Sequence, residues 1–434
     1  MLKGLRASGA MLLGFASILA ISCDNTFGIL STIQGEKKQA GASIFQETAV
    51  FNFFRLDNNL TNTHNYYAVT GGTLQVSAVG QDSWSSVPIV SGSYSLRSAV
   101  LAEGAGISQP TIFALIETGG EANLSISVYY STDGTTWTAV QTLPPEQAAG
   151  YIDKASTVES FDALYSANGH VYAEYHSYYH KPDSTVQNGP STYTLYYFAN
   201  NRFDNVATGF TPSPASDETI RGVVYDGTNY YWFASENHLY VTTDYTGGSD
   251  PTGETAAISP LLTTAGFSLS AGTTSGWSTW AISFTGSAFS DPAVYISTKS
   301  GYLLQYKNGA TAASSSMVNT AVPLTQALAI PASSSGYSLV VGTDALGTTA
   351  AVGYYEGGFG SMVQGSGGSV AGPNAAAIFS TTVSIAPVHA FYYDTSTSTV
   401  FMCDSPGASS TAFYGLYAST WTSASGPWSG WSAQ

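Results

Sequence analysis

Charge is scarce in this 434-residue chain: only 9% of residues are Asp, Glu, Lys or Arg, and basic residues are the rarer kind, 12 against 28 acidic. A net charge of −16 provides no basic footprint for a phosphate backbone, which excludes nucleic acid as a partner. Cysteine is nearly absent, with Cys23 and Cys403 alone, so no disulfide framework organises the fold. Helix signals are lacking as well, because no segment combines an amphipathic 3.6-residue pattern with caps. The chain contains no Walker loop, dinucleotide fingerprint, zinc-metalloprotease helix or serine elbow, so the common enzyme signatures are missing.

What is present is apolar and aromatic. Hydrophobic residues make up 44% and aromatic residues 13%, enough to build a core and contrary to the composition of disordered chains. With so few charges, the surface must expose hydroxyls from Ser, Thr and Tyr. That composition suits short strands joined by polar turns.

The first 22 residues form a secretory signal layout. Lys3 and Arg6 precede an apolar run over 9–22 that is too short to span a bilayer and ends on small side chains. Ala20, Ile21 and Ser22 lead into Cys23, and this stretch resembles a bacterial lipobox, with Ala20 where Leu is usual, in the relaxed form of spirochaete lipoproteins. The resemblance implies cleavage before Cys23, acylation of its sulfur and export to the cell membrane or outer membrane, with the protein held on the bilayer through its lipid. Several acyl chains anchor stably where one does not. Loss of Lys3 and Arg6 would leave 10 basic against 28 acidic groups, a charge of −18. Residues 23–44 read as a tether of about 20 residues with a reach of roughly 25 Å.

From 45 to 434 the chain reads as short Tyr- and Val-rich segments separated by Gly, Asn, Asp, Ser and Pro. One unit runs from Val223 to Ala234 and on to Asp244, as strand, Asp226-Gly227 turn, strand, short turn, strand. Comparable units begin near 49, 98, 161, 220, 280, 337 and 389, and a period in the fifties suits four-stranded blades. The expected fold is therefore an all-β propeller, with seven blades of four antiparallel strands. Closing a ring covers faces that no single blade can bury. Tandem β-sandwiches would use the same strands, but no Pro-rich linker divides the chain.

Ser131, Asp133, Gly134 and Trp137, in Tyr-Tyr-Ser-Thr-Asp-Gly-Thr-Thr-Trp, resemble a shortened Asp-box of BNR-type propellers such as sialidases. Weaker echoes occur at Asp82-Ser83-Trp84 and at 417–421. In that family the box is structural: Asp133 would cap the turn, Gly134 would take a positive φ, and Trp137 would pack over the hairpin. Sialidase activity is not expected. It needs three arginines around a carboxylate, and beyond residue 22 only Arg55, Arg97, Arg202 and Arg221 remain, none in the family's context.

The densest polar segment is 170–180. An extended strand would place His170, Tyr172, Glu174, His176, Tyr178 and His180 on one face, with Val171, Ala173, Tyr175 and Tyr179 turned inward. Groups four or six strand positions apart are too distant to share one metal ion, so this face reads as a wet ligand-binding candidate, and no metal or other cofactor is assigned. The following 181–190 segment suggests a projecting hairpin. Asp133, Asp226, Asp244, Asp344 and Asp394 fall near turns and read as turn caps, although oxygen-rich loops also hold calcium. Cys403, in Val-Phe-Met-Cys, reads as a buried small hydrophobe.

The expected function is a lipid-anchored envelope module that binds a glycan or an envelope or host protein without catalysis. The alternatives are a propeller glycoside hydrolase and an architectural envelope component. Oligomeric state has no signature in the sequence.

Overall fold

Alternation of apolar and polar residues, the mark of a half-exposed strand, is missing from Thr111–Thr118, where Ile112 to Ile116 form an unbroken apolar run. A computed structural model supplies the reason. It describes residues 45, 48–58, 61–119, 125–140 and 156–180, and beyond these mainly the strands named below with a few adjoining turns, to Gln434. Along Ile112–Ile116 the even residues enter one apolar cluster and the odd residues another. Each strand face thus meets a different neighbouring sheet, so both faces must be apolar.

Among the described residues there is no helix. The strands form seven four-stranded antiparallel sheets, each taken in chain order, over 50–87, 94–139, 156–205, 220–257, 279–319, 324–375 and 388–433. Their first strands are Val50–Asn58, Tyr94–Ala102, Ser156–Ala167, Ile220–Tyr225, Thr279–Phe284, Leu324–Pro331 and Val388–Asp394. Each first strand packs against the first strand of the next sheet, and Val388–Asp394 packs against Val50–Asn58. The result is a closed β-propeller with the first strands innermost.

The expected phasing holds at 220, where Ile220–Tyr225, Tyr230–Ala234 and His238–Thr242 are the first three strands of one sheet and Gly227 takes φ +98°. It fails near 337. Tyr337–Thr343 is a second strand, and its sheet begins at Leu324–Pro331, whose two alanines and terminal Pro are weaker β-formers than the run that follows.

No strand is exchanged between the first and last sheets, so side chains close the ring. Phe53 stacks on Phe401 with centroids 4.4 Å apart, within a cluster that also holds Phe45, Tyr66, Ala68, Cys403 and Leu416. Cys403 is fully buried there, as its apolar context predicts. Full burial of side chains of this size contributes about 1.5–3 kcal/mol each. Phe45 packs edge-on against Trp84 at 4.9 Å, and its backbone lies so close to Gly415 that a Cβ there would overlap the Phe45 carbonyl. The lipobox, Cys23, the tether and the 181–190 hairpin lie outside the described residues.

Candidate functional site

Two ends of the ring offer side chains to a ligand, and they are built differently. At one end lie the hairpins that join first to second and third to fourth strands. The Ser131–Trp137 turn is one of these. Gly134 N–H donates to Ser131 Oγ at 2.8 Å, and the Thr135 and Thr136 amides both donate to Asp133 Oδ1 at 2.7 Å. Burial opposes the charge on Asp133, but these amides and the Ser131 hydroxyl outweigh it and hold the carboxyl far below its usual range. Gly134 takes φ +73°, and a Cβ there would overlap the Tyr67 hydroxyl of the neighbouring sheet. Trp137 packs on the cluster between the first two sheets. Asp82-Ser83-Trp84 lies in the corresponding third-to-fourth-strand connection of the first sheet, and Trp421 directly follows the third strand of the last.

The 170–180 segment is a second strand, and its predicted wet face needs correcting at Tyr172 and Glu174. Tyr172 and Glu174 are as buried as Val171 and Ala173, because both faces of a blade lie between other blades. Tyr172 donates to the Tyr245 carbonyl at 2.9 Å, and Glu174 accepts from the Tyr165 hydroxyl at 2.9 Å. Burial drives the Tyr172 pKa far upward. His170 stacks flat on Tyr245, centroids 3.8 Å apart, and burial lowers its pKa. An Asn168-Gly169 hairpin precedes it, with φ of +52° and +80°; Gly106 N–H of the adjacent sheet donates to Asn168 O at 2.8 Å, and Asn168 Nδ2 donates to the Tyr230 hydroxyl at 3.1 Å. Asn168, His170 and Tyr172 therefore join this sheet to its neighbours, while the Glu174 bond stays within the sheet. His176, Tyr178 and His180 lie further along the same strand, with side chains outside the described residues.

Asp394 does much more than cap a turn. It accepts from Arg55 Nη1 at 3.0 and 2.8 Å, from the Tyr66 hydroxyl at 2.5 Å, and from the amide and hydroxyl of Ser396. Burial works against its charge, but the donors from Ser396, Tyr66 and Arg55 prevail and hold its pKa at about 2. Burial likewise opposes the charge on Arg55, yet bonds to Asp57 and Asp394 raise its pKa overall. Asp57 also pairs with His64 at 2.7 Å. Glu103 directly follows the innermost strand Tyr94–Ala102 of the adjacent sheet, and desolvation by its surroundings, with Asp57 second, raises its pKa.

The other end carries a feature with no signature in the sequence. Every innermost strand has a one-residue bulge against its second strand: the register jumps across Phe51, Arg97, Asp162, Arg221, Trp280, Thr325 and His389 in turn. A bulge leaves its extra residue out of the ladder and re-aims it. Where side chains are described, the bulges reach one another around the ring. Phe51, 44% exposed, meets His389 edge-on at 5.6 Å, and Arg97 Nη1 donates to the Phe161 carbonyl at 3.4 Å. Arg97 Nε is held on Glu117 at 2.7 Å, and burial lowers the His389 pKa. The residues just past the bulges bond to the next sheet: Asn52 Nδ2 donates to Ala99 O at 3.1 Å, Ser98 Oγ accepts from Leu164 N at 3.3 Å, and Gln326 Nε2 donates to His389 O at 2.5 Å. At these three places the residue past the bulge ties two blades together, and the seven bulge positions themselves carry six residue types. Among the described residues, no three His, Cys, Asp or Glu converge as metal ligands.

No family model and no curated protein matches this chain. It is similar to solved structures at low identity. BBS1N in complex with ARL6DN has a TM-score of 0.46 at 11% identity, over 89% of this chain and 96% of that one. Chaetomium thermophilum Raptor has a TM-score of 0.42 at 9% identity, over 86% of this chain and 29% of that one. A Penicillium chrysogenum alpha-L-arabinanase complexed with arabinobiose has a TM-score of 0.27 at 11% identity, over 46% of this chain and 63% of that one. None of these likenesses bears on ligand or reaction.

Proposed function

We propose that this protein is an exported binding module of a bacterial cell envelope: a seven-bladed propeller held to the membrane by acylated Cys23, which grips a glycan or protein partner at the bulged end of its ring. The supporting observation is the repeated bulge. Architecture repeats there, blade after blade, while residue chemistry does not, which is the pattern of a scaffold presenting a specific surface rather than of a packing position. Three carboxylates point the same way, since Asp133, Asp394 and Glu117 are occupied in holding a turn, the ring seam and Arg97.

Two measurements test this reading. Palmitate should label the full chain expressed in a lipoprotein-processing bacterium and be lost in Cys23→Ser; label that persists removes the anchor. Envelope material retained by the full-length protein should be released by Phe51→Ala; undiminished retention removes the bulged end as the binding surface.

A second reading, a propeller glycoside hydrolase, is supported by one observation at the hairpin end. Asp57, fixed by Arg55 and His64, lies near Glu103, whose pKa is raised by burial and then by Asp57, and a carboxyl with a raised pKa beside a second carboxylate suits a general-acid role. Under that reading Glu103→Gln and Asp57→Asn would each abolish glycan turnover, whereas under the binding reading neither changes retention.

A further inference from the structure

We infer that His170 is an acid-operated latch at the hairpin end of the ring: as a neutral imidazole it wedges the second, third and fourth sheets together, and as an imidazolium it leaves its slot and lets that joint open. The latch lies at the end opposite the bulges and is independent of the binding reading above.

The slot is built from three sheets. His170 begins the second strand of the third sheet, directly after the Asn168-Gly169 turn. One face of its ring lies on Tyr245, just beyond the third strand of the fourth sheet, with the two planes 5° apart. Gly106, in the connection between the first and second strands of the second sheet, covers the other face. A Cβ on Gly106 would overlap the ring's Nε2, Cδ2 and Cε1 together, so the ring fits only because that side chain is missing. Tyr230 of the fourth sheet stands edge-on at 6.1 Å. The turn itself bonds to the same neighbours: Gly106 N–H donates to Asn168 O, Ala105 N–H donates to Asn168 Oδ1 at 3.2 Å, and Asn168 Nδ2 donates to the Tyr230 hydroxyl. Displacing His170 therefore pulls on bonds between blades.

The slot grips the faces of the ring and offers nothing to hold a proton on its edge. Among the described residues neither ring nitrogen is hydrogen-bonded, and the residue is partly open to solvent, so a proton can arrive from water while the joint is closed. Burial disfavours the charged ring and lowers its pKa from the ordinary 6.5, against a weaker opposing pull from Asp244. The other titratable groups around it are Tyr230 and Tyr245 of the fourth sheet and Tyr172 on its own strand, and burial keeps Tyr172 and Tyr230 neutral. From the second sheet, residues 104–107 bring no ionisable side chain, and Glu103 precedes them.

The sign follows from linkage. A histidine whose folded pKa is depressed lends its full stability above pH 6.5 and loses it as pH falls through the folded value. Glu103 acts in the opposite sense. Its pKa is raised, so acid relieves an unfavourable charge and tightens its surroundings. Loosening in acid thus belongs to His170 and not to Glu103.

The test uses the full chain in detergent micelles with its histidines labelled with carbon-13 at Cε1. Of the six histidine signals, the one missing from His170→Phe reports His170, and it should titrate below pH 6.5. Hydrogen exchange over residues 104–108 and 166–172, corrected for its intrinsic pH dependence, should quicken as pH falls from 7 to 4.5. The gain should approach ten-fold for each pH unit separating the measured pKa from 6.5. His170→Phe keeps a flat ring in the slot and takes up no proton, so its corrected exchange should be indifferent to pH; Glu103→Gln should leave the quickening in place. Should His170→Phe lose the circular dichroism of the parent, His170→Gln replaces it. A pKa at or above 6.5, a joint whose exchange ignores pH in the parent, or quickening that persists without His170 each overturns the latch.

Discussion

The seam between the last and first sheets yields a quantitative prediction. Asp394 is 2% exposed and anchors the Arg55 guanidinium, the Tyr66 hydroxyl and the Ser396 turn at once. Asp394→Ala leaves Arg55 with Asp57 and the Ser396 hydroxyl, and strips the Tyr66 hydroxyl of this acceptor. Removing one partner of a buried pair costs about 3–5 kcal/mol, and the Asp57 contact places this case near the lower figure. For a body of about 390 residues, unfolding entropy is roughly 0.8 kcal/mol/K, so a loss of about 3 kcal/mol lowers Tm by about 4 °C. Acid should erase the difference. The folded pKa of Asp394 is depressed to about 2 from an ordinary 3.8, so its contribution is complete above pH 4 and disappears as pH falls toward 2. Differential scanning calorimetry of parent and variant at pH 7, 5, 4 and 3 should show a constant gap that narrows below pH 4. An unchanged Tm at pH 7, or a gap as wide at pH 3 as at pH 7, refutes the seam as an electrostatic closure.

Three further outcomes follow from the same structure. Gly134→Ala, forced into φ +73° against the Tyr67 hydroxyl, should cost about 2 kcal/mol or more, whereas Thr135→Ala at the exposed next position should stay within about 0.5 kcal/mol, as read by urea denaturation. Trp137→Phe removes a buried indole N–H that has no hydrogen-bond partner and should cost under about 1 kcal/mol, while Trp137→Ala empties its packing site and should cost about 2–3 kcal/mol. Cys403, buried in the seam, should resist a thiol reagent in the native protein and react on unfolding; prompt native labelling would show that the seam opens.

Local chemistry was legible and long-range chemistry was not. The Asp226-Gly227 unit and the Ser131–Trp137 turn could be read because a turn declares itself in a few adjacent residues. The 170–180 face was misjudged at Tyr172 and Glu174, since alternation implies one wet side only when a sheet has one, and a blade flanked by two others has none. The partnership of Arg55 with Asp394 spans 339 residues and follows only from closure of the ring. The bulges were invisible for another reason. A bulge is a relation between two strands, and Phe51, Arg97, Asp162, Arg221, Trp280, Thr325 and His389 share no property that marks them along one.

The seam has a topological consequence. Each sheet is drawn from one uninterrupted stretch of chain, and the two ends of the body meet at one corner, where Phe45 lies against Gly415 and the Gln434 amide donates to Leu416 O at 2.9 Å. Joining residue 434 to residue 45 by a short linker and reopening the chain between any two sheets would break no strand pairing. The ring can therefore be circularly permuted at each of its joints, and the order in which blades are written in the gene is separable from the order in which they stand in space.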